Sequence, residues 1–248
     1  MFRRRKHDLG PPAASAVAER ALCVSVIAML GTIAVALADG TMEEDAAEKY
    51  LVESRRWLIR EGLASTLSTR EKALLATPIA AWTADERLGA RGRNEAVGVL
   101  LWALADGEPL PPYDTACEQL APSVPLLAAT ADFRAAAALR AREEIEQAHA
   151  IAELWLWRAR AEQPAAHGDA QTSGTDVDAI ARQAAALADA EGSSPGPVDD
   201  DFPAHGKPFR DLDSGELAVV ASITAERHHA LDWLAGRRPD WDDATTDG

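Results

Sequence analysis

The run Ala21 to Ala38 contains no charged residue, and it limits every fold this chain can adopt. A helix of that composition has no polar face to offer water, so protein or lipid must cover it on all sides, unless it is cut away as a leader. Glu19 stands just before the run, and the segment ahead of it is long for a leader and is broken by Pro11 and Pro12. Ser25, Gly31, Thr32 and many alanines dilute the hydrophobicity that a membrane span requires. The run therefore reads as a buried core helix. Attachment to a membrane through residues 21–38, with Arg3 to Lys6 on the cytoplasmic side, is the alternative, and a signal peptide ranks below both.

Composition agrees with a helical protein. The 248 residues are 47% hydrophobic but only 5% aromatic, and alanine, a helix former with no β-branched bulk, is abundant. An all-β sandwich or barrel is excluded. The expected fold class is all-α: one irregular helical bundle around a central apolar helix at about 94–105, with long polar loops. No linker divides the chain, so 15–248 reads as one domain behind a disordered basic tail at 1–14. Asp and Glu number 40 against 25 Lys and Arg, a formal charge of -15, which repels phosphate backbones and excludes nucleic acid as a partner. Cys23 and Cys117 form neither a disulfide framework nor a metal-ligand spacing, which suits a reducing, cytoplasmic setting.

Helix starts are marked by side chains. Thr41 with Glu44, Ser68 with Glu71, Thr83 with Glu86 and Asp213 with Glu216 all have capping-box spacing. The first predicts a helix to about Arg60, stopped by Gly62, and the last a helix to about Ala235. An Ala-rich segment from about Ala131 to Glu162 reads as a single long helix, and Asp176 to Ala190 as another. Gln163 to Thr175 and Gly192 to Leu212, the latter with FPAHGKPFRDL, read as loops.

Two features invite a chemical reading. Glu146 with His149 and Glu226 with His229 have the Glu-x-x-His spacing of di-metal helix bundles. Metal ligands in a bundle must face inward, however, and His229 falls nearly opposite the stripe of Leu217, Val220, Ile223, Leu231 and Leu234, while Glu146 lies off the face of Phe133, Ala137, Ala148, Ile151 and Trp155. No metal and no cofactor are expected. The second feature is the last helix and its tail. Arg227 falls within the apolar stripe and needs a carboxylate partner, for which Glu95 is favoured. Trp241, after the stop at Gly236 and Pro239, reads as the anchor of a docked tail. Glu226, His228, His229 and Asp232 are the candidate catalytic residues, with His228 one turn from Asp232. No motif places a serine or cysteine nucleophile, and Gly-rich phosphate loops are absent.

The segments NEAVGVLLWALADGEPLPPYD, FRAAAALRAREEIEQAHAIAELWLWRA and ITAERHHALDWLAGRRPDWDDATTD resemble the bacterial domain-of-unknown-function family 4272, from about Val17 to Asp247. The Glu-Arg-His-x-Ala-Leu-x-Trp-Leu helix followed by Trp-Asp is the most specific part. That family often has asparagine where this chain has Asp232, and threonine where it has Gly248. The resemblance implies a helical, cytosolic bacterial protein and carries over no reaction, cofactor or catalytic residue. Three functions are weighed: foremost a non-enzymatic interaction or scaffold protein meeting a protein partner through a helix face or the FPAHGKPFRDL loop; next an enzyme or ligand-binding protein using Glu226, His228, His229 and Asp232; then a membrane-attached protein. The sequence sets no oligomeric state.

Overall fold

The structure, a computed structural model, describes residues 10–104, 109–117, 123–162, 177–192 and 196–242. The readings placed on residues 1–9, 105, 163–176 and beyond 242 lie outside these. The fold is all-α apart from one two-stranded hairpin.

The uncharged run forms the middle and end of α1 (Ala14–Ala38), a helix long and apolar enough to cross a membrane. In this fold it is sheathed instead by α2 (Glu44–Arg60), α4 (Ala84–Gly92), α5 (Asn94–Ala103) and α6 (Ala131–Ala135). Its approach to α4 is close: a Cβ on Gly31 would stand 2.3 Å from the Arg91 backbone nitrogen. The one cation buried along α1, Arg20, donates from Nη1 to Glu71 Oε2 at 2.8 Å. That carboxylate also accepts from the Ser68 backbone N–H, completing the capping box of α3 (Thr69–Ala76). One group thus closes a helix end and neutralises the core arginine.

α1 is the longer apolar helix, and α2, α4, α5 and α6 pack on it. α5 ends at Ala103 and packs between α1 and α9 (Ser214–Leu234). Capping boxes at Ser68, Thr83 and Asp213 start α3, α4 and α9. At Thr41 the box does not form: the hydroxyl donates to the Ala36 carbonyl, closing the end of α1, and Glu43 becomes the N-cap of α2.

The expected helix from 131 to 162 is broken into α6 and α7 (Arg142–Glu162). Between them Leu139 bridges Leu104, and the Arg140 backbone N–H donates to the Ala103 carbonyl at 2.9 Å. Serving the open carbonyl end of α5 outweighs the helix preference of the alanines. α7 packs along α9, and α8 (Val177–Ala190) packs on α7.

The FPAHGKPFRDL segment is no open loop. Pro203–Ala204 (β1) and Lys207–Pro208 (β2) pair antiparallel, with His205 and Gly206 at positive φ in the turn. Phe202 and Phe209 flank the hairpin and bury themselves against Trp155 of α7, in a second apolar cluster completed by α8 alanines and Val220. Beneath it Arg158 donates from Nε and Nη2 to the two oxygens of Asp201, each at 2.8 Å.

Candidate functional site

Arg227 is fully buried on α9, and its Nε donates to Glu95 Oε2 at 2.9 Å. The rest of its guanidinium donates to the carbonyls of Pro111, Pro112 and Thr115, while Glu95 Oε1 accepts from the Cys117 backbone N–H. Every hydrogen bond of this pair is spent on holding residues 111–117 against α5. An apolar groove of about 1260 Å³ lies beside it, with Met29, Ile33, Leu88 and Val219 in its wall. Two of the groove's polar groups, Glu95 and Cys117, are those already engaged by Arg227.

One turn further along α9 the polar groups are differently disposed. Asp232 is buried and bridges three parts of the chain. Its Oδ1 accepts from His149 Nε2 on α7 at 2.7 Å, and its Oδ2 accepts from Arg238 Nε on the tail at 2.7 Å. Burial raises the Asp232 pKa, but the His149 and Arg238 hydrogen bonds outweigh it and hold the carboxyl well below the usual range. His228 lies 4.0 Å from the same carboxylate, and burial pushes its pKa down to about 4. Burial and the charges of Arg93 and Arg238 push His229 down to about 3. Both imidazoles are therefore neutral at pH 7. His229 Nδ1 accepts from Arg238 Nη1 at 3.3 Å, which puts its proton on Nε2. That buried nitrogen has no hydrogen-bond partner among the described residues, and the ring stands perpendicular to Trp241 at 4.7 Å between centroids.

The tail seals this end of α9. Trp241 is buried against Trp233 and His229, with the Arg20 guanidinium 5.1 Å from its ring. The residue after it, Asp242, accepts from the Arg70 backbone N–H at 2.7 Å, within the first turn of α3. The open amide of the α3 N-terminus draws Asp242 in.

Between tail, α3, α7 and α9 a cleft of about 230 Å³ opens, whose lining includes Arg70, Arg93, Arg160, Arg238, His228 and His229. Two carboxylates share the lining, Glu226 and Asp242. Glu226 Oε2 accepts from Arg93 Nη1 at 3.0 Å, and its pKa is raised by burial despite the opposing pull of Arg93. Four guanidinium groups thus face two carboxylates, a local excess of positive charge on an acidic chain.

Of the residues singled out from sequence, the structure gathers Glu226, His228 and His229 at this cleft, with Asp232 behind it, and puts Arg227 and Glu95 in a separate buried pair. The outward placement of the Glu-x-x-His pairs needs correction. Glu146 does lie on the surface, paired with Arg142, but His149 is buried, and His229 is half-buried beneath Trp241. The phase was misjudged on α7 because the helix restarts at Arg142; within α7 alone, His149 lies on the buried stripe of Ile145, Ala152 and Ala159. That stripe was the signal that could have found it. Arg70, Arg93, Arg160 and Arg238 were missed because they come from four separate segments with no common motif.

A sequence-family model described as Domain of unknown function (DUF4272) matches residues 2–188. The match ends before α9, so the Glu-Arg-His-x-Ala-Leu helix lies beyond it. No curated protein and no solved structure matches the chain.

Proposed function

The chain belongs to the DUF4272 family, and because that description assigns no reaction, we propose from the site alone that the protein binds a small anionic ligand, of phosphate or carboxylate type, in the cleft between the tail, α3, α7 and α9. The observation that carries this reading is the convergence of four arginines from separate segments, beside two half-buried imidazoles, in a chain of formal charge -15. Guanidinium groups are suited to planar, multidentate contact with carboxylate or phosphate oxygens. The surrounding acidity repels polyanions such as nucleic acid and leaves the cleft to ligands small enough to enter it. His228 and His229, neutral at pH 7, and Glu226 on the same helix are the groups able to exchange a proton with a bound ligand. α1 fits this reading as an internal core helix, since its Arg20 is already paired inside the protein.

Thermal unfolding of the intact protein tests the proposal. Phosphate, pyrophosphate, sulfate and short dicarboxylates are compared at matched ionic strength. At a hundredfold excess over its Kd, a bound anion raises the midpoint by roughly 5–10 °C, and Arg160→Ala abolishes the rise. If no anion in the series shifts the midpoint, the reading fails and the interaction-protein reading takes its place.

A further inference from the structure

The side chains behind the cleft point to a second kind of ligand. α7 presents His149 and Glu153 four residues apart on one face, and α9 sets His228 against them, with the two imidazole centroids 5.5 Å apart. One donor atom from each of the three residues lies within 4.8 Å of the others. We infer that His149, Glu153 and His228 form a binding site for one divalent first-row transition metal ion. Glu153 does not line the anion cleft and His149 faces away from it into Asp232, so the inference stands without the anion reading, although His228 borders both.

Three observations carry it. First, Asp232 fixes the His149 ring. An ionised carboxylate only accepts, so the Nε2 that faces it at 2.7 Å donates, and Nδ1 is the ring nitrogen left on the other side. A histidine whose far nitrogen donates to a carboxylate is the usual arrangement around a bound metal. Second, that Nδ1 faces Glu153 Oε2 at 3.9 Å, too far for a hydrogen bond but a span that an ion with bonds of about 2.0–2.2 Å can bridge. Third, neither nitrogen of His228 has a hydrogen-bond partner among the described residues, although only 12% of the side chain is exposed; its Nε2 is 4.0 Å from Asp232 Oδ1.

The donor set selects the ion. Two imidazole nitrogens and one carboxylate oxygen suit zinc, cobalt, iron or manganese, whereas magnesium and calcium favour oxygen throughout. The nearby cation Arg238 opposes a metal little, because Asp232 already takes its charge at 2.7 Å. Tetrahedral ligands around zinc stand about 3.4 Å apart, so closing the present span draws the donors inward.

The full chain, stripped with a chelator and dialysed, is titrated with Zn²⁺ against a chromophoric competitor, and with Co²⁺ while its visible spectrum is recorded. One equivalent of zinc binds, and cobalt gives the intense bands of a low-coordinate site. His149→Ala also unties Asp232, so the deciding variants are Glu153→Gln and His228→Ala. Each weakens zinc binding at least tenfold, whereas His205→Ala, in the distant hairpin, leaves it unchanged. Absence of stoichiometric zinc binding overturns the site, as does binding that Glu153→Gln and His228→Ala leave intact. Glu153→Gln leaves the phosphate-induced thermal shift in place, which separates failure of this site from failure of the anion cleft.

Discussion

Replacing Arg227 by alanine strips the counter-charge from Glu95, which is itself 5% exposed, and leaves three backbone carbonyls without their donor. A buried acid left unpaired in this way costs about 3–5 kcal/mol. Truncating the buried Trp241 to alanine costs about 3 kcal/mol through lost packing. Chemical denaturation should therefore show both variants well below His229→Ala in midpoint; midpoints near wild type would mean that neither residue anchors the C-terminal unit. Asp201 offers a pH test of the second cluster. Burial raises its pKa, but the Arg158 hydrogen bonds and charge and two backbone N–H donors outweigh that and leave it lowered. A depressed carboxyl contributes stability above its unfolded value, near 3.8, and that contribution is lost as pH falls through the folded value. Asp201→Asn should accordingly lower the urea midpoint strongly at pH 6 and much less at pH 2.5. An equal loss at both pH values would show that the charge is not what the pair uses.

At the scale of elements, the crossing of α1 over α4 is set by one missing side chain. A Cβ at Gly31 meets backbone atoms of Arg91 and Ala90 at 2.3 and 2.5 Å and the Ala90 methyl at 2.8 Å, and backbone cannot swing aside. Gly31→Ala should destabilise by roughly 1–3 kcal/mol through overpacking, although alanine is the better helix former; a stabilised variant would place α4 elsewhere. The caps at Ser68, Thr83 and Asp213 were legible because each rests on two residues three apart. The Thr41 box, of equal spacing, gave way because the last carbonyls of α1 competed for the same hydroxyl. The α6–α7 break was hidden because, in a stretch of six residues that is largely alanine, Leu139 and Arg140 serve a distant helix end rather than continuing their own. In the site, Arg227, Glu226 and the paired histidines could be picked out as polar groups on a helix that had to be packed. Glu95 could be named as the partner of Arg227, but the partners of Glu226 and Asp232 could not: Glu226 meets Arg93 and Asp232 meets His149, across 133 and 83 positions that no local pattern relates.

At the scale of the whole molecule, a basic recess sits in a chain of formal charge -15. Charge of opposite sign gathered from α3, the α4–α5 junction, α7 and the tail is costly to assemble unless it is matched; Arg93 is paired with Glu226 and Arg238 with Asp232, and Asp242 lies within the field of Arg70. Arg70 and Arg160 are exposed, so their attraction for an anion should weaken as salt shortens the Debye length to about 8 Å at 0.15 M and about 3 Å at 1 M. Calorimetric titration of the intact protein with pyrophosphate, at 0.05 M and 0.5 M chloride, tests the anion cleft most directly. One saturable site per chain, weaker in high salt and weakened at least tenfold by the double substitution Arg70→Ala with Arg160→Ala, is the predicted result. Absence of a saturable site, or one whose affinity the double substitution leaves unchanged, would contradict it.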